Sequence, residues 1–445
     1  MKPLKVALET LGCRVNIYDS EAMMELFRAD GYEVVAFNLK ADVYVINTCT
    51  VTNMGDRKSR QLISRARRKN PEAVICVVGC YSQVAPEEIA ALEGVDIVLG
   101  SRNKLRIVEF ANRSRATGEQ LIEVTDVLTS QEFEPLEVRD YKDHTRAFLK
   151  IQDGCNRFCS YCMIPYARGG ISSKDRQQVL EEVHELVDHG FKEIILSGIH
   201  IASYGMDKAS KEAGLLLGKD RGYDLLDLLE ELETVEGLLR IRIGSIEPMF
   251  FQGERLARIK RLKKLCPHFH LSLQSGSDSV LKRMNRRYTA SDYEKVVNAL
   301  RREIPDVSIT TDVIVGFPGE TKEEHQETVS FLERIALTKT HIFKYSPRQG
   351  TPAASMPNQV HGTIKEERSR ELQSLSNKNE ESFHRGMVGQ DHQVLMERWD
   401  GQLAKGFTEN FVEVEIEAKE DFSGEIINCS IMEAKTHSVK GRLRQ

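Results

Sequence analysis

The chain has 445 residues, which at about 150 residues per domain predicts three domains. Hydrophobic residues make up 40% and charged residues 29% of it, a composition typical of globular proteins. The formal charge of −5, from 62 basic and 67 acidic residues, excludes a protein that is basic overall, so any nucleic-acid contact must come from local patches. No apolar run reaches the ~18 residues of a membrane span, and the N-terminus carries no signal-peptide pattern. We therefore expect a cytoplasmic protein with no membrane segment.

The first hundred residues alternate short apolar strands with helical stretches. The predicted strands are 5–10, 43–48, 74–79 and 97–99, and the predicted helices are 20–29 and 56–69. This alternation indicates an α/β domain with a doubly wound parallel sheet, which we place at residues 1–135. Residues 113–145 lose apolar density and are predicted to form a linker.

A second βα series fills a predicted domain at 141–375. Its strands are predicted at 147–152, 193–198, 240–245, 269–274, 307–315 and 341–345, with helical patterns such as 179–189, 291–302 and 322–335 between them. Six βα units predict a partial (βα)6 barrel, since a complete barrel needs eight. Residues 206–223 are expected to form an exposed insertion.

From about residue 380 the pattern changes to short alternating stretches with glycines in turns. Residues 410–417 (NFVEVEIE) follow period two closely, and 392–397 alternate in the same way. We therefore predict a small all-β module at 380–445.

Nine cysteines in a chain without a secretory signal favour metal or redox chemistry over disulfides. Cys155, Cys159 and Cys162 form a CxxxCxxC motif directly after the first predicted strand of the barrel. A loop at the carboxyl end of that strand faces the mouth of a βα barrel. Thiolates select zinc or iron–sulfur clusters, and three of them around a four-iron cluster leave one iron open to a substrate.

A structural zinc site is the alternative at this loop. Zinc in structural sites takes four ligands, and the nearest additional candidates are His144 and His184. Neither histidine belongs to the loop, so the local set of zinc ligands is incomplete.

Three further cysteines, Cys13, Cys49 and Cys80, each lie at or just beyond the carboxyl end of a predicted parallel strand. Such ends share one edge of a sheet, which is where doubly wound folds bind ligands. The three thiols are therefore predicted to converge on a second centre, beside helix N-termini that favour an anionic cluster. The remaining cysteines lack partners and are expected to be structural: Cys76, Cys266 and Cys429.

The CxxxCxxC motif after the first strand of a six-unit barrel resembles the radical S-adenosylmethionine (SAM) superfamily. Residues 150–169 (KIQDGCNRFCSYCMIPYARG), with LGCRVN and NTCTVTN nearer the N-terminus, resemble the methylthiotransferase family more specifically. The resemblance covers the chain in order and implies an N-terminal methylthiotransferase domain, a radical SAM barrel and a TRAM-like RNA-binding module. It implies two [4Fe–4S] clusters on six catalytic cysteines: one on Cys155, Cys159 and Cys162, and an auxiliary one on Cys13, Cys49 and Cys80.

The resemblance also implies SAM as radical source and methyl donor, bound at strand ends of the barrel. The candidate SAM-binding residues follow strands two to five: Ser197, Gly198, Ser245, Glu247, Gln274 and Gly316. His200 is a further candidate, although a polar loop histidine commonly has no role in chemistry. The family usually continues Arg168-Gly169 with more basic residues, whereas this chain has Gly-Ile-Ser-Ser, so contacts at 170–174 are left unassigned.

Three segments, 56–69, 255–264 and 282–287, are locally basic and are predicted either to contact RNA phosphates or to be solvated helix faces. The C-terminal module has 8 basic and 12 acidic residues across 381–445, a net charge of −4. RNA contacts there are expected on one face, with candidates Trp399, Phe407, Lys440, Arg442 and Arg444.

LGCRVN, NTCTVTN and residues 150–169 are most similar to family members that methylthiolate C2 of N6-threonylcarbamoyladenosine at position 37 of tRNA. Members that act on isopentenyladenosine are the alternative, and a third branch modifies a ribosomal-protein aspartate. From other classes, an RNA-binding protein with structural zinc and a flavodoxin-like reductase fused to a barrel remain open. The expected partners are the tRNA anticodon stem-loop and an electron donor such as flavodoxin or ferredoxin, with the sulfur source undetermined.

Overall fold

The computed structural model describes the whole chain except residues 1, 52, 130–131, 140, 142–143, 208–222 and 445. Its N-terminal part contains a six-stranded parallel sheet with the order β2-β1-β3-β4-β5-β6. The strands are β1 (Lys5–Thr10), β2 (Glu33–Val35), β3 (Val43–Thr48), β4 (Val74–Gly79), β5 (Ile97–Leu99) and β6 (Leu121–Glu123). The helices are α1 (Arg14–Ala29), α2 (Asn53–Lys69), α3 (Cys80–Val84), α4 (Pro86–Ala90) and α5 (Ile107–Thr117). β3 and β4 are buried along their whole length, as expected for the centre of a parallel sheet.

The four strands predicted from the sequence are confirmed, and the doubly wound sheet with them. β2 and β6 are not predicted, because three residues are too few to show a period. The linker predicted from residue 113 is wrong at its start: α5 continues to Thr117, and β6 pairs with β5 at the edge of the sheet. Farther along the same segment, Leu136, Val138 and Tyr141 are buried in the core of the next unit.

The central part is the predicted six-unit partial barrel. Its strands are β7 (Ala147–Asp153), β8 (Ser172–Ser173), β9 (Glu193–Gly198), β10 (Arg240–Ile243), β11 (His268–His270), β12 (Ser308–Val315) and β13 (Lys339–Lys344). They form the sheets β10-β9-β7-β8 and β11-β12-β13, which parallel bridges from Ile241 to Leu265 and from Ile246 to Leu271 connect. Among the described strands of this part, only the two-residue β8 pairs antiparallel, at the edge beside β7.

Helices cover the outside of this barrel. They are α6 (Ile164–Arg168), α7 (Arg176–Asp188), α8 (Leu225–Leu232), α9 (Glu254–Ile259), α10 (Asp278–Arg283), α11 (Ala290–Glu303) and α12 (Lys322–Ile335). Thr289 and Thr321 cap α11 and α12 through reciprocal hydrogen bonds with Asp292 and Glu324, which explains the sharp starts of these helices. The exposed insertion predicted at 206–223 lies almost entirely outside the described residues.

The C-terminal part is a long helix followed by a closed five-stranded barrel with the order β14-β15-β16-β18-β17. The elements are α13 (Gly362–Met387), β14 (Asp391–Trp399), β15 (Leu403–Thr408), β16 (Glu413–Glu417), β17 (Ile426–Ala434) and β18 (Val439–Leu443). The all-β module predicted from about residue 380 is confirmed, although α13 continues to Met387 before the first strand of the barrel begins. The buried face of α13 includes Ser376, Glu380 and His384, so the helix lacks a clear apolar period. No helix in the described part of the chain has the length and apolar character needed to cross a membrane.

The C-terminal barrel packs against the amino-terminal ends of the central strands. Arg240, the first residue of β10, donates to the carbonyl of Gln393 at 2.7 Å. Arg242 donates to the carbonyl of Glu409 at 3.2 Å and, through Nε, to the buried carboxylate of Glu193 at 2.9 Å. Because Glu193 is the first residue of β9, this interface lies on the face of the central barrel opposite the carboxyl ends of its strands.

The aromatic residues predicted to contact RNA in this module have structural roles instead. Phe407 stacks on Phe411 with ring centroids 4.8 Å apart, and the guanidinium of Arg146 lies 4.8 Å from the Phe407 ring. Trp399 packs on the barrel core and donates from Nε1 to the carbonyl of Ala418 at 3.1 Å. Both are therefore used for packing within the protein.

A buried network of charges joins the N-terminal sheet domain to the central barrel. Asp19 of α1 accepts from Lys150 of β7 at 2.8 Å and from Arg168 of α6 at 3.0 Å, and pairs with Lys104 at 3.3 Å. Asp153, at the end of β7, pairs with Lys150 at 2.8 Å and with Arg168 at 3.1 Å. Burial alone would raise the pKa of Asp19, but the three cations outweigh it and lower that pKa.

We predict that Asp19→Asn lowers the free energy of unfolding by about 3–5 kcal/mol, because it leaves buried cations without a carboxylate. The measurement is urea unfolding under anaerobic conditions. The matched control is Glu381→Gln on α13, which removes an exposed pair with Arg385 and should cost less than about 1 kcal/mol. Equal losses in the two variants would contradict a role for the buried network in holding the domains together.

Candidate active site

The CxxxCxxC loop begins where β7 ends, and its backbone is tightly fixed. Gly154 has φ +73°, and a Cβ at this position would lie 1.8 Å from the carbonyl oxygen of Gly170, so only glycine fits. The N–H of Cys155 donates to the carbonyl of Gly169 at 2.9 Å, and that of Cys162 donates to the carbonyl of Cys159 at 2.9 Å. The loop is therefore held closed on itself at the carboxyl end of the first barrel strand.

The three thiols of this loop line one cavity of about 140 Å³. Burial raises the pKa of Cys155 to about 11 and that of Cys162 to about 12. These thiols are therefore protonated near neutral pH and become thiolates only when a bound metal centre replaces the proton. The cavity opens at the mouth of the barrel, as the sequence predicts.

Glu247 organises the charges in this cavity. Its carboxylate pairs with Arg157 at 3.0 Å, with Arg286 at 3.5 Å and with the Nε2 of His200 at 3.5 Å. Burial alone would raise the pKa of Glu247, but the hydrogen bond from His200 and the charges of Arg286, His200 and Arg157 lower it to about 2. Glu247 is therefore an anion that holds two guanidinium groups beside the cysteine loop.

Arg286 is a site residue that no sequence motif indicates. Its Nη1 donates to the Sγ of Cys159 at 3.4 Å, and its Nε donates to the hydroxyl of Tyr288 at 2.9 Å. In the sequence it belongs to the basic segment 282–287, whose density of positive charge suggests a solvent-facing patch. Only the packing of the loop after α10 against the cysteine loop turns this one arginine inward.

The six candidate SAM-binding residues divide into two groups. Ser245 and Glu247 line the cavity with the three thiols. The other four are not among the described residues that line it. Ser197 donates to the carbonyl of Leu149 at 3.2 Å, and the N–H of Gly316 donates to Glu320 at 3.0 Å. Gly198 lies against the side chain of Gln152, and Gln274 has a positive φ of 76° next to β12.

The second cysteine set occupies one edge of the N-terminal sheet. Cys13 immediately precedes α1, Cys49 follows β3, and Cys80 is the first residue of α3. A Cβ on Gly12 would lie 3.1 Å from the Sγ of Cys49, so glycine lets the first loop approach the second. Burial, together with the nearby thiols of Cys80 and Cys13, raises the pKa of the Cys49 thiol to about 11.

Arg168 connects the two cysteine sets. It lies six residues beyond Cys162 in the chain, is fully buried, and donates from Nε to the Sγ of Cys80 at 3.3 Å. The same guanidinium pairs with Asp153, two residues before Cys155. One side chain thus contacts both the strand end that starts the first cysteine loop and a thiol of the second set.

The zinc alternative finds no support in the positions of the two histidines. His144 precedes β7, and the cysteine loop follows β7, so a strand of seven residues, about 23 Å long, separates them. His184 is exposed on α7. Neither histidine lines the cavity that the three thiols of the loop share.

Residues 149–332 match the model of the radical SAM superfamily, and residues 5–100 match an uncharacterised protein family designated UPF0004. Among curated relatives, the threonylcarbamoyladenosine tRNA methylthiotransferase MtaB of Bacillus subtilis is 42% identical over 96% of this chain and 94% of its own length. The tRNA-2-methylthio-N6-dimethylallyladenosine synthase of Clostridium tetani is 34% identical over 98% of this chain and 95% of its own length. The chain belongs to the radical SAM methylthiotransferase family. The family expected from the cysteine motifs is thereby confirmed.

A solved structure shares the fold of most of this chain. The radical SAM methyltransferase TsrM from Kitasatospora setae, with cobalamin and a [4Fe–4S] cluster bound, aligns with a TM-score of 0.54 at 16% identity. The alignment covers 79% of this chain and 77% of that one. The similarity supports the arrangement of a parallel sheet domain beside a partial barrel.

Methylthiotransferases of this family use SAM with two [4Fe–4S] clusters, and the residues present here fit that cofactor set. Each cysteine set provides three thiols, and a cluster on three thiolates is an anion. In each set a mostly buried guanidinium lies within hydrogen-bonding distance of one sulfur: Arg286 at Cys159 and Arg168 at Cys80. Such charge-assisted contacts stabilise thiolates over thiols.

We predict that Arg168→Gln lowers the reduction potential of the second cluster, because losing a nearby positive charge disfavours the more negative reduced form. The measurement is a redox titration monitored by electron paramagnetic resonance, in a background where Cys155, Cys159 and Cys162 are alanine. Arg168→Lys should stay near the parent potential, and Arg334→Gln, at an exposed arginine, should match it. A glutamine variant with the parent potential would refute the contact with Cys80.

Proposed function

We propose that this enzyme replaces the C2 hydrogen of N6-threonylcarbamoyladenosine at position 37 of tRNA with a methylthio group. The observation that carries the proposal is the presence of two separate cysteine sets at two carboxyl strand edges, joined by Arg168. The radical SAM loop provides a binding site for SAM, and the second set of thiols beside it provides a separate site for the sulfur that is transferred. The 42% identity to relatives named for threonylcarbamoyladenosine supports this substrate.

The reaction requires an open-shell step because C2 of adenine carries no acidic hydrogen, so bases and nucleophiles do not readily displace it. In the proposed reaction the C2–H bond breaks and a C2–S bond forms to a sulfur atom that the second cysteine set would present. The electron released as the C2–S bond forms would pass to the cluster that Cys13, Cys49 and Cys80 would hold. The hydrogen leaves on the adenosyl fragment of one SAM, and the methyl group comes from a second SAM. Cys155, Cys159 and Cys162 would hold a [4Fe–4S] cluster, which would supply the electron that cleaves the first SAM.

The chain's own residues prepare the site for this chemistry. Glu247 fixes Arg157 and Arg286 at the wall of the cavity, and Arg286 compensates negative charge at Cys159. The 9% exposure of His200 and its hydrogen bond to Gln152 make it part of the rigid wall beside Glu247. Arg168 holds Cys80 at a constant position relative to the end of β7.

The related dimethylallyladenosine synthases are 33–35% identical to this chain, against 39–42% for the threonylcarbamoyladenosine enzymes. This difference favours threonylcarbamoyladenosine over the isopentenyl substrate. We further propose a tRNA anticodon stem-loop as the macromolecular substrate, flavodoxin or ferredoxin as the electron donor, and the cytoplasm as the location. Both a tRNA substrate and reduced cysteines fit that compartment.

The substrate is tested by mass spectrometry of tRNA nucleosides from cells that lack the gene and from cells that regain it. We expect unmethylthiolated N6-threonylcarbamoyladenosine to accumulate in the deletion strain and to be converted after complementation. Accumulation of isopentenyladenosine instead would show that the alternative substrate is the correct one. An unchanged nucleoside profile would overturn both substrate assignments.

The roles of the two cysteine sets are tested separately with SAM cleavage and product formation. Cys155→Ala should abolish both, whereas Cys49→Ala should retain cleavage of SAM and lose methylthiolation. Cys76→Ala is the control, because this thiol lies in the middle of β4 away from both edges, and it should retain both activities. Full methylthiolation by Cys49→Ala would show that the second set does not take part in sulfur transfer.

A further inference from the structure

Helix α2 carries a dense row of basic side chains on its exposed side. At 100° per residue, they lie within an arc of about 120°, which makes one continuous surface. This surface, named the α2 basic face, consists of Arg57, Lys58, Arg65, Arg68 and Lys69. All five residues are exposed, and within the described part of the chain none of them forms an ion pair.

The other charged residues of α2 point elsewhere and are paired. Arg60 contacts Glu88 at 3.1 Å, and Arg67 contacts Asp96 at 2.8 Å on the side that packs on the sheet. The acidic residue of the helix, Asp56, pairs with Arg348 at 2.6 Å. The helix therefore separates the cations it uses for packing from those it presents to solvent.

In two other basic regions of the chain, several cations are already paired with neighbouring carboxylates. In the segment 255–264, Arg255 pairs with Asp224, Arg258 with Asp227 and Glu230, and Lys260 with Glu303. The C-terminal barrel shows the same pairing: Lys405 and Lys435 with Glu415, Lys440 with Glu433, and Arg444 with Asp391. A polyanion would have to displace these carboxylates, whereas the α2 basic face is available as it stands.

The N-terminal end of α2 is fixed at the mouth of the barrel. Arg348, which follows β13 at its carboxyl end, donates to Asp56 in the first turn of α2 and to the hydroxyl of Thr50 beside Cys49. From there α2 extends about 25 Å, at 1.5 Å per residue. Met54, 60% exposed, lies on the same face at the end nearest the mouth. The C-terminal barrel, in contrast, lies on the opposite face of the central barrel.

We infer that the α2 basic face binds the phosphate backbone of the tRNA anticodon stem. The inference rests on the proposed function, and it names the surface that directs the RNA toward the two cysteine sets. From Arg57 to Lys69 the face is about 18 Å long, so its cations can contact several consecutive phosphates of one RNA strand. A loop base at the N-terminal end of the helix would then meet the mouth while its stem lies along the cations.

An acidic electron-donor protein is the competing partner for a basic surface. Such a donor needs to approach the cysteine loops closely, at the N-terminal end of α2. Arg65, Arg68 and Lys69 occupy the other half of the helix, about 18–24 Å along the axis from its start. The far half of the α2 basic face therefore distinguishes a long RNA contact from a local protein contact.

The test compares two triple variants of the full-length, cluster-reconstituted protein. The α2 variant is Arg65→Gln/Arg68→Gln/Lys69→Gln. The matched control removes the same number of positive charges from exposed positions at the amino side of β11; it is Lys260→Gln/Arg261→Gln/Lys263→Gln. The probe is purified tRNA that carries N6-threonylcarbamoyladenosine, and the readout is Kd measured at several salt concentrations. Circular dichroism and iron content check that both variants fold and hold their clusters.

We expect the α2 variant to bind this tRNA at least about tenfold more weakly at physiological salt. When log Kd is plotted against the logarithm of the salt concentration, the slope for this variant should be smaller by about 2–3, because three phosphate contacts are lost. The control should bind like the parent protein. Parent-like affinity and salt slope in the α2 variant would overturn the inference while leaving the proposed function intact.

Two further outcomes would also overturn it, and they are distinguishable. If the α2 variant binds tRNA normally but loses turnover with flavodoxin while keeping turnover with dithionite, the face is a docking site for the electron donor. If the parent protein itself neither binds nor modifies this tRNA, the proposed function fails and the inference fails with it.

Discussion

The architecture depends on a group of charges that are stable in the interior only together. Asp19 comes from the N-terminal sheet domain, Lys150 and Asp153 come from the first barrel strand, and Arg168 comes from the helix after the cysteine loop. Separating the two domains would expose some of these groups and leave others buried without a partner, which costs several kcal/mol per charge. The domains are therefore held in one relative position, and the apolar packing of Tyr18 and Ala22 from α1 within the core of the barrel adds to it.

This fixed position is what gives the two cysteine sets a common function. Each set lies at the carboxyl ends of parallel strands, but in two different sheets. Arg168 contacts the Cys80 thiol and the Asp153 carboxylate with the same guanidinium, so the network that joins the domains also sets the distance between the two centres. Stability and chemistry thus depend on the same side chain.

The two faces of the central barrel have separate roles. The carboxyl ends of its strands carry the cysteine loop, Glu247 and Arg286, and the start of α2 is attached there through Arg348. The amino ends hold the C-terminal barrel through Arg240 and Arg242. In the proposed binding mode, tRNA lies along the N-terminal domain beside the α2 basic face, and any contact with the C-terminal barrel has to extend around the molecule.

The sequence by itself determined the central strands of both sheets, the six cysteines and the family, because these depend on local signals: runs of β-branched residues, period 3.6 in helices, and the eight-residue span of CxxxCxxC. Tertiary structure alone decided the contacts of Arg286, Arg168 and Phe407, and which basic side chains of the described residues lack an ion pair. Arg286 belongs to a segment that is basic in sequence, and Arg168 to a stretch whose partners Asp19 and Cys80 are 149 and 88 residues away. A charge is neutralised by whatever lies beside it in space, and no local pattern records which distant carboxylate or thiol that will be.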